Sequence, residues 1–144
     1  MVNVDSYRYK VSLRVFHPTR RAEEIATNVG LKGHILQSVG EPRKAPKGEK
    51  LNDIYDRTYV TFNLEETHKE GVVELLRKTL EVALVGKTPY LSELVETGGK
   101  VEFFVGMFGD ENIGLEIDAG LISDLASARI AVSLDIYWTA SEAR

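Results

Sequence analysis

The 144-residue chain is the usual size of one domain, and its 18 Lys and Arg against 22 Asp and Glu give a formal net charge of -4. It has no cysteine, which excludes a disulfide framework, thiolate metal ligation and a cysteine nucleophile. The mild acidity supplies no general attraction to nucleic acid or anionic lipid, and no run of about 18 apolar residues exists to span a membrane.

Met1–Ser6 lacks the charged and apolar regions of a signal peptide, so the expected location is cytoplasmic. One domain is expected over 1–144, with its structured core at about 7–138. A first strand is predicted at 7–16. Tyr7, Tyr9, Val11, Leu13 and Val15 share one face, while Arg8, Lys10, Ser12, Arg14 and Phe16 share the other. His17-Pro18 ends it. Thr19 suits an N-cap and Gly30 a C′ residue for a helix over about 20–29, with Ala22, Ile25, Ala26 and Val29 inward. A short strand is expected at 34–39. The segment 40–53 holds two prolines, two glycines and four basic residues, and it reads as an exposed loop.

The third strand, about 56–64, puts Thr58, Val60, Phe62 and Leu64 against Arg57, Tyr59, Thr61 and Asn63. Thr67-His-Lys-Glu70 is a capping box for the main core helix, which runs to about Val85. Its stripe is Val72, Val73, Leu76, Leu80, Ala83 and Leu84. Thr88-Pro89 starts a further helix that buries Leu91, Leu94 and Val95. A fourth strand at 100–108 buries Val101, Phe103, Val105 and Met107. Gly109–Asn112 is a turn, and Ile113, Leu115 and Ile117 alternate in a fifth strand at 113–118. A helix at about 120–128 leads to the last strand, 130–138. There Ile130, Val132, Leu134, Ile136 and Trp138 alternate with Ala131, Ser133, Asp135 and Tyr137, and the first set is assigned to the core. One-sided strands interleaved with helices predict an α+β two-layer sandwich, with one mostly antiparallel sheet and helices packed on one face.

Three stretches together resemble a known family. Val11–Phe16 with Arg21–Leu31 is similar to its opening strand and helix. Ser38–Pro42 is similar to the turn that follows. Gly114–Asp118, Leu121–Leu125 and Leu134–Tyr137 are similar to its closing strand, helix and strand. The family is the bacterial domain of unknown function numbered 4279. The resemblance spans roughly 11–138 and implies a small single-domain bacterial protein. The family carries no established activity, so no catalytic residue transfers.

Chemistry-bearing motifs are few. His17, His34 and His68 have no ligand spacing, no Ser lies in a Gly-x-Ser-x-Gly elbow, and no P-loop exists. Glu23-Glu24 and Glu65-Glu66 read as helix-end charges. No cofactor and no metal are expected. What stands out is the non-core sheet face. Its candidate binding residues are Arg14, Arg57, Tyr59, Thr61, Glu102, Phe104, Glu116, Asp135 and Tyr137. Aromatics among charges of both signs suit a ligand or a protein partner. The plainer reading is a solvated face with cross-strand ion pairs, such as Arg14 with Asp135. The expected function is a non-enzymatic binding or interaction module, homo-oligomeric through that face. The alternatives are a small-molecule sensor or enzyme with a pocket over the same face, and an immunity-type protein inhibitor. Neither nucleic acid nor membrane is an expected partner.

Overall fold

The computed structural model describes residues 8–64, 71–109 and 112–138. The strand β1 (Arg8–His17) is the centre of its sheet. Tyr9, Val11, Leu13 and Val15 are buried on one side, as the alternation requires. On one flank β1 pairs antiparallel with β5 (Thr58–Asn63), which in turn pairs with the short β2 (Ile35–Gln37). On the other flank it pairs antiparallel with β6 (Lys100–Gly109). The last strand, β7 (Ile130–Trp138), pairs parallel with β6. The order is β2-β5-β1-β6-β7: an α+β fold whose sheet is mixed but mostly antiparallel. The parallel pair needs a crossover, and α4 (Ala119–Ser127) supplies its helix.

The helices bury their apolar residues against the odd-numbered face of β1 and its neighbours. α1 (Ala22–Val29) contributes Ala22, Ile25 and Val29. α2 (Val72–Lys78) contributes Val72, Leu75 and Leu76, and α3 (Thr88–Glu96) contributes Leu91 and Leu94. They enclose Leu13, Val15, Val60, Phe62, Val101, Phe103, Val105 and Met107. Each large side chain removed from water here is worth about 1.5–3 kcal/mol relative to exposure. No helix among the described residues is long and apolar enough to cross a membrane.

Several expectations change. The segment 40–53 is not all loop, because β3 (Pro42–Lys44) and β4 (Lys50–Ile54) form a separate two-stranded hairpin clasped by Arg43 and Asp53 at 2.7 Å. The segment 113–118 joins neither sheet. Both edges of β6 are already taken by β1 and β7, so Ile113, Leu115 and Ile117 pack on the core from an irregular extended stretch. That stretch ends at Asp118, whose Oδ1 accepts the Leu121 N–H at 2.9 Å and caps α4. The capping box at 67–70, His68, Glu65-Glu66 and the Asp110-Glu111 turn lie outside the described residues.

Thr19 is not an N-cap either. α1 starts after Arg21, and the buried Ser38 hydroxyl accepts the Ala22 N–H at 2.8 Å. Gly30 does close the helix, at φ 80° with its N–H on the Ala26 carbonyl. After α2 the chain makes a π-helical turn, Thr79–Ala83, with the Leu84 N–H on the Thr79 carbonyl at 2.9 Å. The wider turn rotates the apolar stripe. Leu80 and Leu84 stay buried, whereas Ala83 is turned to solvent.

The greatest departure is β7. Ile130 is buried and Val132 packs on the core, but Leu134, Ile136 and Trp138 are 48%, 57% and 55% exposed. They lie on the helix-facing side of an edge strand, beyond what the helices cover. Alternation identifies the side of a strand on which a residue lies, not whether a second layer reaches it.

Candidate functional site

The other face of the sheet carries two aromatic clusters, ordered by strand register. At one end Phe16 lies opposite Tyr59 on β5 and Lys100 on β6. The Phe16 and Tyr59 rings stack with centroids 4.9 Å apart, inclined at 26°. Arg57, just before β5, lays its guanidinium 4.4 Å from the Phe16 centroid, and Arg14 lies 4.3 Å from the Phe104 centroid. Arg14 is also 5.7 Å from both the Phe16 and Tyr59 rings. At the far end Phe108 and Tyr137 stack at 4.9 Å, inclined at 7°. There the Tyr137 hydroxyl donates to Asp135, and this bond to a carboxylate raises the phenol above its ordinary pKa.

Glu102 joins the first cluster to the sheet. It lies on the polar face yet is only 4% exposed. Its Oε1 accepts from the Ser133 hydroxyl at 2.8 Å and faces Lys100 Nζ at 3.2 Å, while its Oε2 is 3.5 Å from Arg14 Nε. The anticipated ion pair of Arg14 with Asp135 therefore does not form. Register sets Arg14 directly across from Glu102 and places Asp135 beside Gly106. Arg14 Nε is buried with no hydrogen-bond partner, because 3.5 Å is too long for a good bond.

Of the nine residues singled out by patterning, Arg14, Arg57, Tyr59, Glu102 and Phe104 converge. Asp135 and Tyr137 form a separate pair on the same face. Thr61 is buried and structural: its hydroxyl accepts the Ile35 N–H at 3.2 Å and its carbonyl the His34 N–H at 2.7 Å. Glu116 is not on this face at all, since its segment belongs to no sheet.

A cavity of about 300 Å³ opens beside the first cluster, lined by Arg14, Phe16, Gln37, Tyr55, Asp56, Arg57 and Tyr59. Gln37, Tyr55 and Asp56 were missed by patterning. A three-residue strand and the turn after a polar hairpin carry no alternation long enough to assign a face, and Gln37 comes to the cavity only because β2 pairs it with Tyr59. A second cavity, about 430 Å³, lies among the helices at Leu80, Glu81, Thr88, Pro89, Ser92, Asp124, Ser127 and Ala128. It holds carboxylates and hydroxyls but no cation and no aromatic ring.

His17 is spent on structure. It is buried, and its Nδ1 accepts the Thr19 and Arg20 N–H groups at 3.1 and 2.9 Å. That fixes the proton on Nε2, which donates to the Thr97 hydroxyl at 2.8 Å. Burial, and next the positive Arg20, push its pKa below the ordinary value. Among the described residues no group of three or more His, Asp and Glu side chains is placed to hold a metal ion. Comparison with protein-family models, with curated proteins and with solved structures gave no match to this chain.

Proposed function

We propose that the protein is a binding module rather than a catalyst, and that its working surface is the open face of the five-stranded sheet. The observation that carries this reading is the guanidinium–aromatic cluster of Arg14, Phe16, Arg57, Tyr59 and Phe104 beside a cavity of ligand size. A face that only needed wetting would not gather three rings and two guanidiniums around one depression. The test is a fragment library titrated onto ¹⁵N-labelled protein. Hits should move the amides of 14–16, 55–59 and 102–104 together. Hits confined to the helix-side cavity, or scattered over the surface, refute the reading.

The exposed side of β7 favours a second reading, self-association of two copies through that edge instead of through the open face. Among the described residues one flank of β7 has no partner strand, and the only charged side chain of β7 is Asp135. An antiparallel pair of β7 edges related by a two-fold axis at Leu134 is self-complementary. Leu134 meets Leu134, Val132 meets Ile136, Ile130 meets Trp138 and Ser133 meets Asp135, so no like charges oppose. Sedimentation should give a dimer that Leu134→Lys converts to a monomer with unchanged circular dichroism. A wild-type monomer at all concentrations refutes it.

A further inference from the structure

We infer that the Arg14–Arg57 cavity selects small organic monoanions, a carboxylate carried on a flat apolar body, over neutral molecules of the same shape and over multiply charged anions. The inference rests on the reading of the open face as the binding surface and assigns that surface its ligand class. Stacking occupies the faces of a guanidinium and leaves its edge free, and the edge carries every N–H. Arg57 is held by Phe16 alone: it makes no ion pair or hydrogen bond with the described residues. Its planar fork is thus not taken up by any carboxylate of the described residues and is open to bidentate carboxylate binding. Arg14 lines the same cavity and adds a second positive charge, although its Nε is buried 3.5 Å from Glu102 Oε2.

The local charge sets the valence. Arg14, Arg57 and Lys100 stand against Glu102 and Asp56, so one positive charge is left over. One negative charge completes that balance, and a second would meet the two carboxylates without compensation. Phe16, Tyr55 and Tyr59 give the cavity an aromatic lining, and at about 300 Å³ it suits a small ligand. The Tyr55 hydroxyl accepts the Lys44 N–H at 3.2 Å and keeps its own proton to donate.

The experiment titrates benzoate, benzamide and inorganic phosphate onto ¹⁵N-labelled wild type, Arg57→Gln and Arg57→Lys, with each variant's dispersed amide spectrum as the check on folding. Benzoate should saturate shifts at 14–16 and 55–59, with benzamide and phosphate each binding about tenfold or more weakly. Arg57→Gln should weaken benzoate by about tenfold or more, and Arg57→Lys, which keeps the charge but loses the fork, by less. Benzamide or phosphate binding as well as benzoate, or Arg57→Gln leaving benzoate unchanged, overturns the inference. If neutral fragments move the open-face amides and benzoate does not, only the anion selection fails. If no probe of any charge moves them, the binding face fails with it.

Discussion

Replacing His17 with Phe keeps a buried ring but removes both nitrogens, and its cost can be worked from the contacts. Three hydrogen bonds disappear: those from the Thr19 and Arg20 amides to Nδ1, and that from Nε2 to Thr97, all within 3.1 Å. At about 0.5–1.5 kcal/mol net for each bond, the loss is about 1.5–4.5 kcal/mol at pH 7.5. Urea denaturation followed by circular dichroism measures it, with Tm falling by several degrees for each kcal/mol. Wild type has a second signature. The imidazole pKa is lowered in the fold, so below its ordinary value near 6.5 the unfolded chain binds a proton that the folded one refuses. Stability is therefore full above about pH 6.5 and falls as the pH drops, by at most about 1.4 kcal/mol per pH unit for this one group. His17→Phe should lose that component of the slope between pH 7.5 and 5.5. A variant within about 0.5 kcal/mol of wild type, or parallel stability–pH curves for the two, would refute the role given to His17.

Gly99 tests the packing next to it. A Cβ there would lie 2.6 Å from the Phe16 carbonyl oxygen and 2.7 Å from that of Leu94, so Gly99→Ala should cost about 1–3 kcal/mol in urea denaturation. At Gly106 nothing is nearer than 3.6 Å, and Ala there is expected to stay within about 0.5 kcal/mol. Asp118→Ala should lower Tm at neutral pH by uncapping α4, and Asp118→Asn, which still accepts the Leu121 N–H, should lower it less. That N–H bond, and next the Arg77 guanidinium, hold the Asp118 carboxyl below its ordinary pKa. Its contribution is accordingly present above that ordinary value and lost as the pH falls through the depressed one, so the gap between wild type and Asp118→Ala should close in acid.

How much of this was legible depends on what each pattern encodes. The alternation of β1 and β6 identified the core side chains because helices cover the whole of that face. In β7 the same alternation runs past the helices, so it points Leu134, Ile136 and Trp138 to the core side although they are exposed. Its parallel pairing leaves no trace in a nine-residue pattern. Ile113, Leu115 and Ile117 alternate as a strand would, but β6 has no free edge for them. The hairpin at 42–54 is exposed on every strand residue and had no apolar face to reveal it. For the site, patterning could place Arg14, Tyr59 and Phe104 on one face. It could not choose Glu102 over Asp135 as the partner of Arg14, because register comes from the pairing of whole strands.

The central place of β1 sets an order of events for the growing chain. This strand emerges before either neighbour, and its β6 flank stays unpaired until residues 100–109 are made. The His17–Thr97 hydrogen bond closes a separation of 80 residues, so the turn it organises is completed equally late. Synthesis at about 5–20 residues per second leaves one long edge of this ten-residue strand open for several seconds. Arg8, Lys10 and Arg14 put three like charges along that strand, and they oppose its pairing with a second nascent copy before β6 arrives. The like charges of β1 thus act against edge-to-edge pairing whether or not Arg14 meets a ligand.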